Sequence, residues 1–160
     1  LGELHQGLKV ALRGVNNGRL GLSATCIGMA RWALVQALEY AKVRRTFGQP
    51  IGEHQAVQIL LADSASDIYS AETMLVDCAL KLERGEKALA ETSMVKQHCT
   101  DAANRVFDRC MQVHGGMGLT NELRLEAGYR FTRSMRIPDG TSEIQRRTVA
   151  RELLVNGVNF

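Results

Sequence analysis

The stretch EKALAETSMVKQHCTDAANRVFDRCMQV, residues 86–113, decides the fold. Ala88, Thr92, Val95, Cys99, Ala102, Val106, Cys110 and Val113 recur in it at steps of three and four. That spacing lines them along one face of a helix. Two further stretches repeat the pattern. Residues 17–45 carry Leu20, Ala24, Ile27, Leu34, Leu38 and Ala41, and residues 53–84 carry Val57, Leu60, Leu61, Ile68, Ala71, Leu75, Ala79 and Leu82. Helices of about 30 residues run ~45 Å, exceed the globular average, and suit an up-and-down bundle.

The punctuation agrees. Phe47-Gly48-Gln49-Pro50-Ile51-Gly52 separates the first helix from the second, Gly85 the second from the third, and Gly115-Gly116-Met117-Gly118 ends the third. Two shorter helices are predicted at 122–133 and 142–155. The last follows Pro138-Asp139-Gly140-Thr141, with Ser142-x-x-Gln145 as a capping box. No stretch alternates as a strand does. The expected class is therefore all-α: an up-and-down four-helix bundle with an additional short helix. Gly21 and Gly28 fall inside the first helix, where glycine costs up to about 1 kcal/mol against alanine, so close packing is expected around them.

The chain has 160 residues, 45% of them hydrophobic and 5% aromatic, with 20 Lys+Arg against 17 Asp+Glu. This length supports one domain with its own core, and the composition excludes disorder. A net charge of +3, with basic residues scattered among acids, points away from nucleic acid as a partner. No apolar run reaches the ~18 residues of a transmembrane segment, and the N-terminus lacks a signal-peptide pattern. The chain does not begin with Met, which reads as a piece of a longer protein. Cys26, Cys78, Cys99 and Cys110 show no Cys-x-x-Cys pair. Buried free thiols in a reducing compartment are expected, without a metal site.

Three loops carry the chemistry, because ligand-contacting residues gather in loops on a rigid scaffold. They are Arg44-Arg45-Thr46-Phe47-Gly48, Gln112-Val113-His114-Gly115-Gly116-Met117-Gly118 and Asp139-Gly140-Thr141-Ser142-Glu143-Ile144-Gln145. The glycine-rich loop follows a helix and not a strand, so a Rossmann reading fails. It reads either as a helix C-cap with a tight turn or as backbone that lets a phosphate or flavin edge approach. Asp139 reads either as an Asx-turn before a capped helix or as a general base. In the second case the Gly140 and Thr141 N–H groups at the helix N-terminus would polarise an oxygen.

In this order and spacing the three loops resemble the C-terminal domain of the acyl-CoA dehydrogenase family of flavoenzymes. The family pattern is Arg-x-x-Phe-Gly, then Gln-x-x-Gly-Gly-x-Gly, then carboxylate-Gly-Thr-Ser-x-Ile-Gln-Arg, matched by 44–48, 112–118 and 139–146. The likeness runs from about Gly14 to Leu154. It implies α,β-dehydrogenation of an acyl-CoA: a proton leaves Cα and a hydride passes from Cβ to FAD. It also implies a three-domain protein of which this bundle is the C-terminal part, and a homodimer or homotetramer with FAD shared between subunits. Electron-transfer flavoprotein would be the electron acceptor. The compartment would be the cytoplasm of a bacterium or the mitochondrial matrix of a eukaryote. The bundle alone is expected to show no turnover and weak or no FAD binding.

By the same resemblance, Asp139 is the catalytic base. Asn16, Asn17, Gly18, Arg19 and Gly140 lie on the substrate side. Arg44, Gln55, Gln112, Val113, His114, Gly115 and Gly116 contact the partner subunit's FAD, and Thr141, Ser142 and Glu143 contact the chain's own flavin. Most relatives carry Glu where this chain has Asp139, and many carry Asp where it has Asn16. Some place the base instead near the start of the first helix, where Gly18 stands. Aspartate shortens the reach by one C–C bond, ~1.5 Å. Three readings remain: a backbone that compensates, a substrate held differently as in nitroalkane oxidase, or an inert bundle serving assembly or binding. The arginines 130, 133, 136, 146, 147 and 151 read mainly as solvated helix faces, and Trp32 and Met94 as core or interface residues.

Overall fold

The computed structural model describes residues 2–158. The helices are α1 (Gly7–Val43), α2 (Gln55–Glu83), α3 (Leu89–His114), α4 (Leu125–Ser134) and α5 (Ser142–Asn156). Helix α3 is the axis of the bundle and packs against each of the other four. Its predicted stripe is buried at every position, and Ser93, Lys96, Thr100, Ala103 and Phe107 widen the buried face. None of these helices is long and apolar enough to cross a membrane.

Several expectations need correction. Helix α1 starts at Gly7, ten residues before the predicted position. Its buried stripe is Ser23, Cys26, Ile27, Ala30, Ala33, Ala37 and Ala41, while Ala24 and Leu38 are exposed. Small side chains predominate on the face of α1 that is fully buried, with Leu20, Leu22 and Leu34 partly buried beside it. On α2, Ser64 and Cys78 are buried where Ala79 and Leu82 were expected. Gly21 and Gly28 are not packed: nothing lies within 4 Å of where a Cβ would stand at either.

The loop after α1 is a minimal antiparallel hairpin, β1 (Arg45–Thr46) with β2 (Gln49–Pro50), and Ile51 N–H donates to Arg44 O at 2.8 Å across its base. Strands of two residues are too short to show alternation in sequence. The residue capping α5 is Thr141, whose hydroxyl accepts from Ile144 N–H at 3.4 Å, and not Ser142. All four cysteines are free and buried. Burial raises the thiols, Cys26 to about 11 and Cys99 and Cys110 to about 12.

Candidate active site

Asp139 lies in the turn between α4 and α5 at φ 56°, followed by Gly140 at φ 97°. Asp and Gly are among the residues that tolerate left-handed backbone. Both carbonyls of the turn are held from the interior. Arg19 Nε on α1 and Gln145 Nε2 on α5 each donate to Asp139 O at 2.9 Å. Lys96 Nζ on α3 donates to Gly140 O at 2.8 Å, and Gln145 Nε2 shares that oxygen at 3.0 Å. Ser142 N–H closes the turn onto Arg136 O at 3.2 Å. In trans peptides the N–H points opposite its C=O. The N–H groups of Gly140 and Thr141 therefore face away from these donors, and they have no acceptor among the described residues.

Gly18 flanks the carboxylate: a Cβ there would stand 3.0 Å from Asp139 Oδ2. Arg19 Nη1 also donates to Asn16 Oδ1 at 2.9 Å. The structure thus gathers Asn16, Gly18, Arg19, Asp139 and Gly140 into one cluster, with Thr141, Ser142 and Glu143 continuing from it. Asn17 is exposed beside it. Ser142 is buried and its hydroxyl donates to Asp101 Oδ1 at 3.4 Å, so its side chain turns into the bundle. Glu143 stays exposed, and its own N–H and the Thr141 hydroxyl hold its carboxyl below the usual range. Burial pushes the Arg19 guanidinium down, against the pull of Asp139. A groove of about 1020 Å³ is lined by Asn16 and Asn17 with the α2–α3 connection and the end of α5. Asp139 is half-buried and is not among the groove's lining residues.

A second cluster forms at the other end of α1. Arg44 and Gln55 are exposed on either side of the hairpin, whose Phe47 is 97% exposed at φ 50°. His54 pins the hairpin: its Nδ1 accepts from Gln49 Nε2 at 3.1 Å, which leaves Nε2–H to donate to Thr46 Oγ1 at 3.1 Å. The end of α3 lies alongside. His114 stacks on Tyr40 with centroids 4.5 Å apart, and its Nδ1–H donates to Cys110 O at 2.7 Å. Val113 and His114 are both buried, so their side chains are committed to the interior. Gln112, Gly115 and Gly116 are exposed, and the two glycines leave open space where a Cβ would stand. Gly118 differs: a Cβ would meet Met111 O at 2.7 Å, so packing requires it.

Arg19 and Arg44 are separated by about 38 Å along α1. The two clusters are therefore separate places on the chain, toward opposite ends of the long helix α1. Sequence reasoning missed Lys96 and Asp101. Lys96 falls four residues after Thr92 and three before Cys99, a lysine on the apolar stripe, and that was the available signal. Asp101 forms ion pairs with Arg136 Nε at 2.6 Å and Arg146 Nη2 at 2.8 Å, so these two arginines are not a free solvated face.

The family model described as acyl-CoA dehydrogenase, C-terminal domain, matches residues 5–154. The short-chain specific acyl-CoA dehydrogenase of Bos taurus mitochondria is 38% identical over 154 residues, covering 96% of this chain and 37% of that protein. The caffeyl-CoA reductase–Etf complex subunit CarC of Acetobacterium woodii is 34% identical, covering 96% and 41%. The solved structure of PigA with FAD and proline superposes with a TM-score of 0.94 at 29% identity, covering 98% and 41%. The chain thus spans about two-fifths of the length of the relatives it matches.

Proposed function

Because the chain belongs to the acyl-CoA dehydrogenase family through its C-terminal domain, we propose that it is the helical bundle of a three-domain flavoenzyme that dehydrogenates an acyl-CoA between Cα and Cβ. Asp139 removes the Cα proton. The outward N–H groups of Gly140 and Thr141 polarise the thioester oxygen and so acidify that carbon. Arg19, Lys96 and Gln145 bind no reacting atom; they hold the turn that carries the base. The observation that carries this reading is the Asp139–Gly140 turn, with both carbonyls drawn inward and its carboxylate beside Gly18.

FAD, when bound, would supply the hydride acceptor. The residues present fit it: Arg44 and Gln55 are exposed, and Gly115 and Gly116 leave room for a group brought from outside. Arg44, Gln55, Gln112 and the 113–116 backbone would hold the FAD of a partner subunit. Thr141 and Glu143, with the Ser142 backbone, would border the chain's own. The ~38 Å between the clusters supports this division and hence a homodimer or a dimer of dimers. The Etf complex named for one relative supports electron-transfer flavoprotein as the redox partner.

The test is anaerobic mixing of the full-length protein with a series of acyl-CoA thioesters, following loss of oxidised flavin absorbance. The native protein is expected to bleach and Asp139→Asn to remain yellow. Unchanged bleaching in Asp139→Asn would remove Asp139 as the base. A native protein that no acyl-CoA bleaches would favour a bundle kept for assembly or binding. Oxygen consumption with nitroalkanes would point to oxidase chemistry.

A further inference from the structure

Lys96 is 0% exposed, the largest of the fully buried side chains. A buried ammonium is costly unless it is paired and hydrogen-bonded. Among the described residues Lys96 has no carboxylate within ion-pair distance. Its hydrogen bond goes to a backbone carbonyl, Gly140 O, at 2.8 Å. If filling the core were its task, an apolar residue of similar length would do so without that cost. The charge is retained for what it touches, and it touches the peptide next to Asp139.

Three side chains hold this turn, and Lys96 is the one that reaches it from the axis of the bundle. Gln145 Nε2 is divided between two carbonyls and its Oε1 is buried without a partner. Arg19 is divided between Asp139 O and Asn16. Among the described residues Lys96 Nζ donates to Gly140 O alone. Burial pushes its ammonium below the ordinary value, and Arg19 adds to this, while Asp139, Asp101 and Cys26 pull the other way. Removing the ammonium would leave Gly140 O to a shared amide and free the peptide plane to rotate. The left-handed pair at 139–140 would then relax and carry the carboxylate with it.

We infer that Lys96 is a positioning residue for the Asp139 base: through Gly140 O it fixes the turn at which the carboxylate meets the substrate. This rests on the reading of Asp139 as the base, and the experiment separates the two. In the full-length holoenzyme, Lys96→Met is compared with Lys96→Arg and Lys96→Gln by stopped-flow flavin reduction and by hydrogen–deuterium exchange. Lys96→Met is expected to lower the limiting reduction rate by about 10- to 100-fold, as a misplacement near 1 Å does. The acyl-CoA concentration at half-saturation should stay within about threefold. Exchange of the Ser142 amide, which closes the turn, should rise while the interiors of α1 and α2 keep their protection. Lys96→Arg, or Lys96→Gln if the Met variant does not fold, should recover part of both.

Native reduction rate and native Ser142 exchange in Lys96→Met would overturn the inference. So would a rate loss accompanied by exchange rising evenly through the bundle and unrelieved in Lys96→Arg, which is what mere structural damage produces. If no acyl-CoA reduces the native flavin, the dehydrogenase reading fails by itself, and the exchange at Ser142 alone decides whether Lys96 holds the turn.

Discussion

Gly18 and Asp139 meet from opposite ends of the chain, and a Cβ on residue 18 would stand 3.0 Å from Asp139 Oδ2. The contact makes a mid-helix glycine part of the carboxylate's surroundings. Glycine there weakens α1, and the missing side chain is what leaves room for the carboxylate.

Replacing Gly18 by Ala should therefore separate stability from chemistry. Helix propensity favours alanine by up to about 1 kcal/mol, so the thermal midpoint should hold or rise. The carboxylate must move by a few tenths of an ångström, and flavin reduction by acyl-CoA should fall about tenfold. Calorimetry and stopped-flow on the same preparation check both halves; a faster or unchanged reduction rate would show that the carboxylate is indifferent to the contact.

The α3–α4 contact offers a second test. A Cβ at Gly128 would stand 2.2 Å from Phe107 Cε1, and that ring is fully buried. Overpacking of this kind costs about 1–3 kcal/mol. Gly128→Ala should lower unfolding stability in urea by that amount. Adding Phe107→Leu should restore part of it, so the two changes are non-additive.

His98 predicts a pH dependence. Burial first, and Arg105 second, hold its imidazole below the ordinary value, against Asp67 and Asp101, and its Nε2 meets Ser70 Oγ at 3.2 Å. A lowered folded value means that the unfolded chain takes up the proton more readily. The contribution is fully present above pH ~6.5 and is lost as the pH falls toward the folded value. His98→Gln should flatten the curve of midpoint against pH in that window and leave the neutral end little changed. Equal slopes in the two proteins would refute the assignment.

The thiols should be silent until the bundle opens. With all four cysteines buried and Cys26, Cys99 and Cys110 raised to about 11, 12 and 12, thiolate is scarce at neutral pH. A disulfide reagent should modify none within minutes in the native protein and all four in denaturant. Rapid reaction of any one would reveal local opening at that site.

Much of the fold is legible because α3 is buried along the whole stripe that its period marks out. Helix α1 is less so: Ala30, Ala33, Ala37 and Ala41 face the core because they are small, whereas hydrophobic size directs attention to Leu38. The site is legible as residue types in loops, and the turn carrying Asp139 lies beside Gly18 and Arg19. Its support is not. Lys96 and Asp101 reach the turn from α3, far away in sequence, and no local spacing records which helix comes to lie behind which loop. Within one glycine-rich loop, Gly118 is required by Met111 while Gly115 and Gly116 face open space, and the residue type looks the same in each case.

The turn at 139–140 is tied to α1, α3 and α5 at once. A segment moored to three helices cannot serve as a door. It belongs to the same cooperative unit as the core, and its geometry should survive until the bundle itself melts. Any movement that admits a ligand to this carboxylate would have to come from the side where Gly140 and Thr141 present their N–H groups, and not from the turn itself.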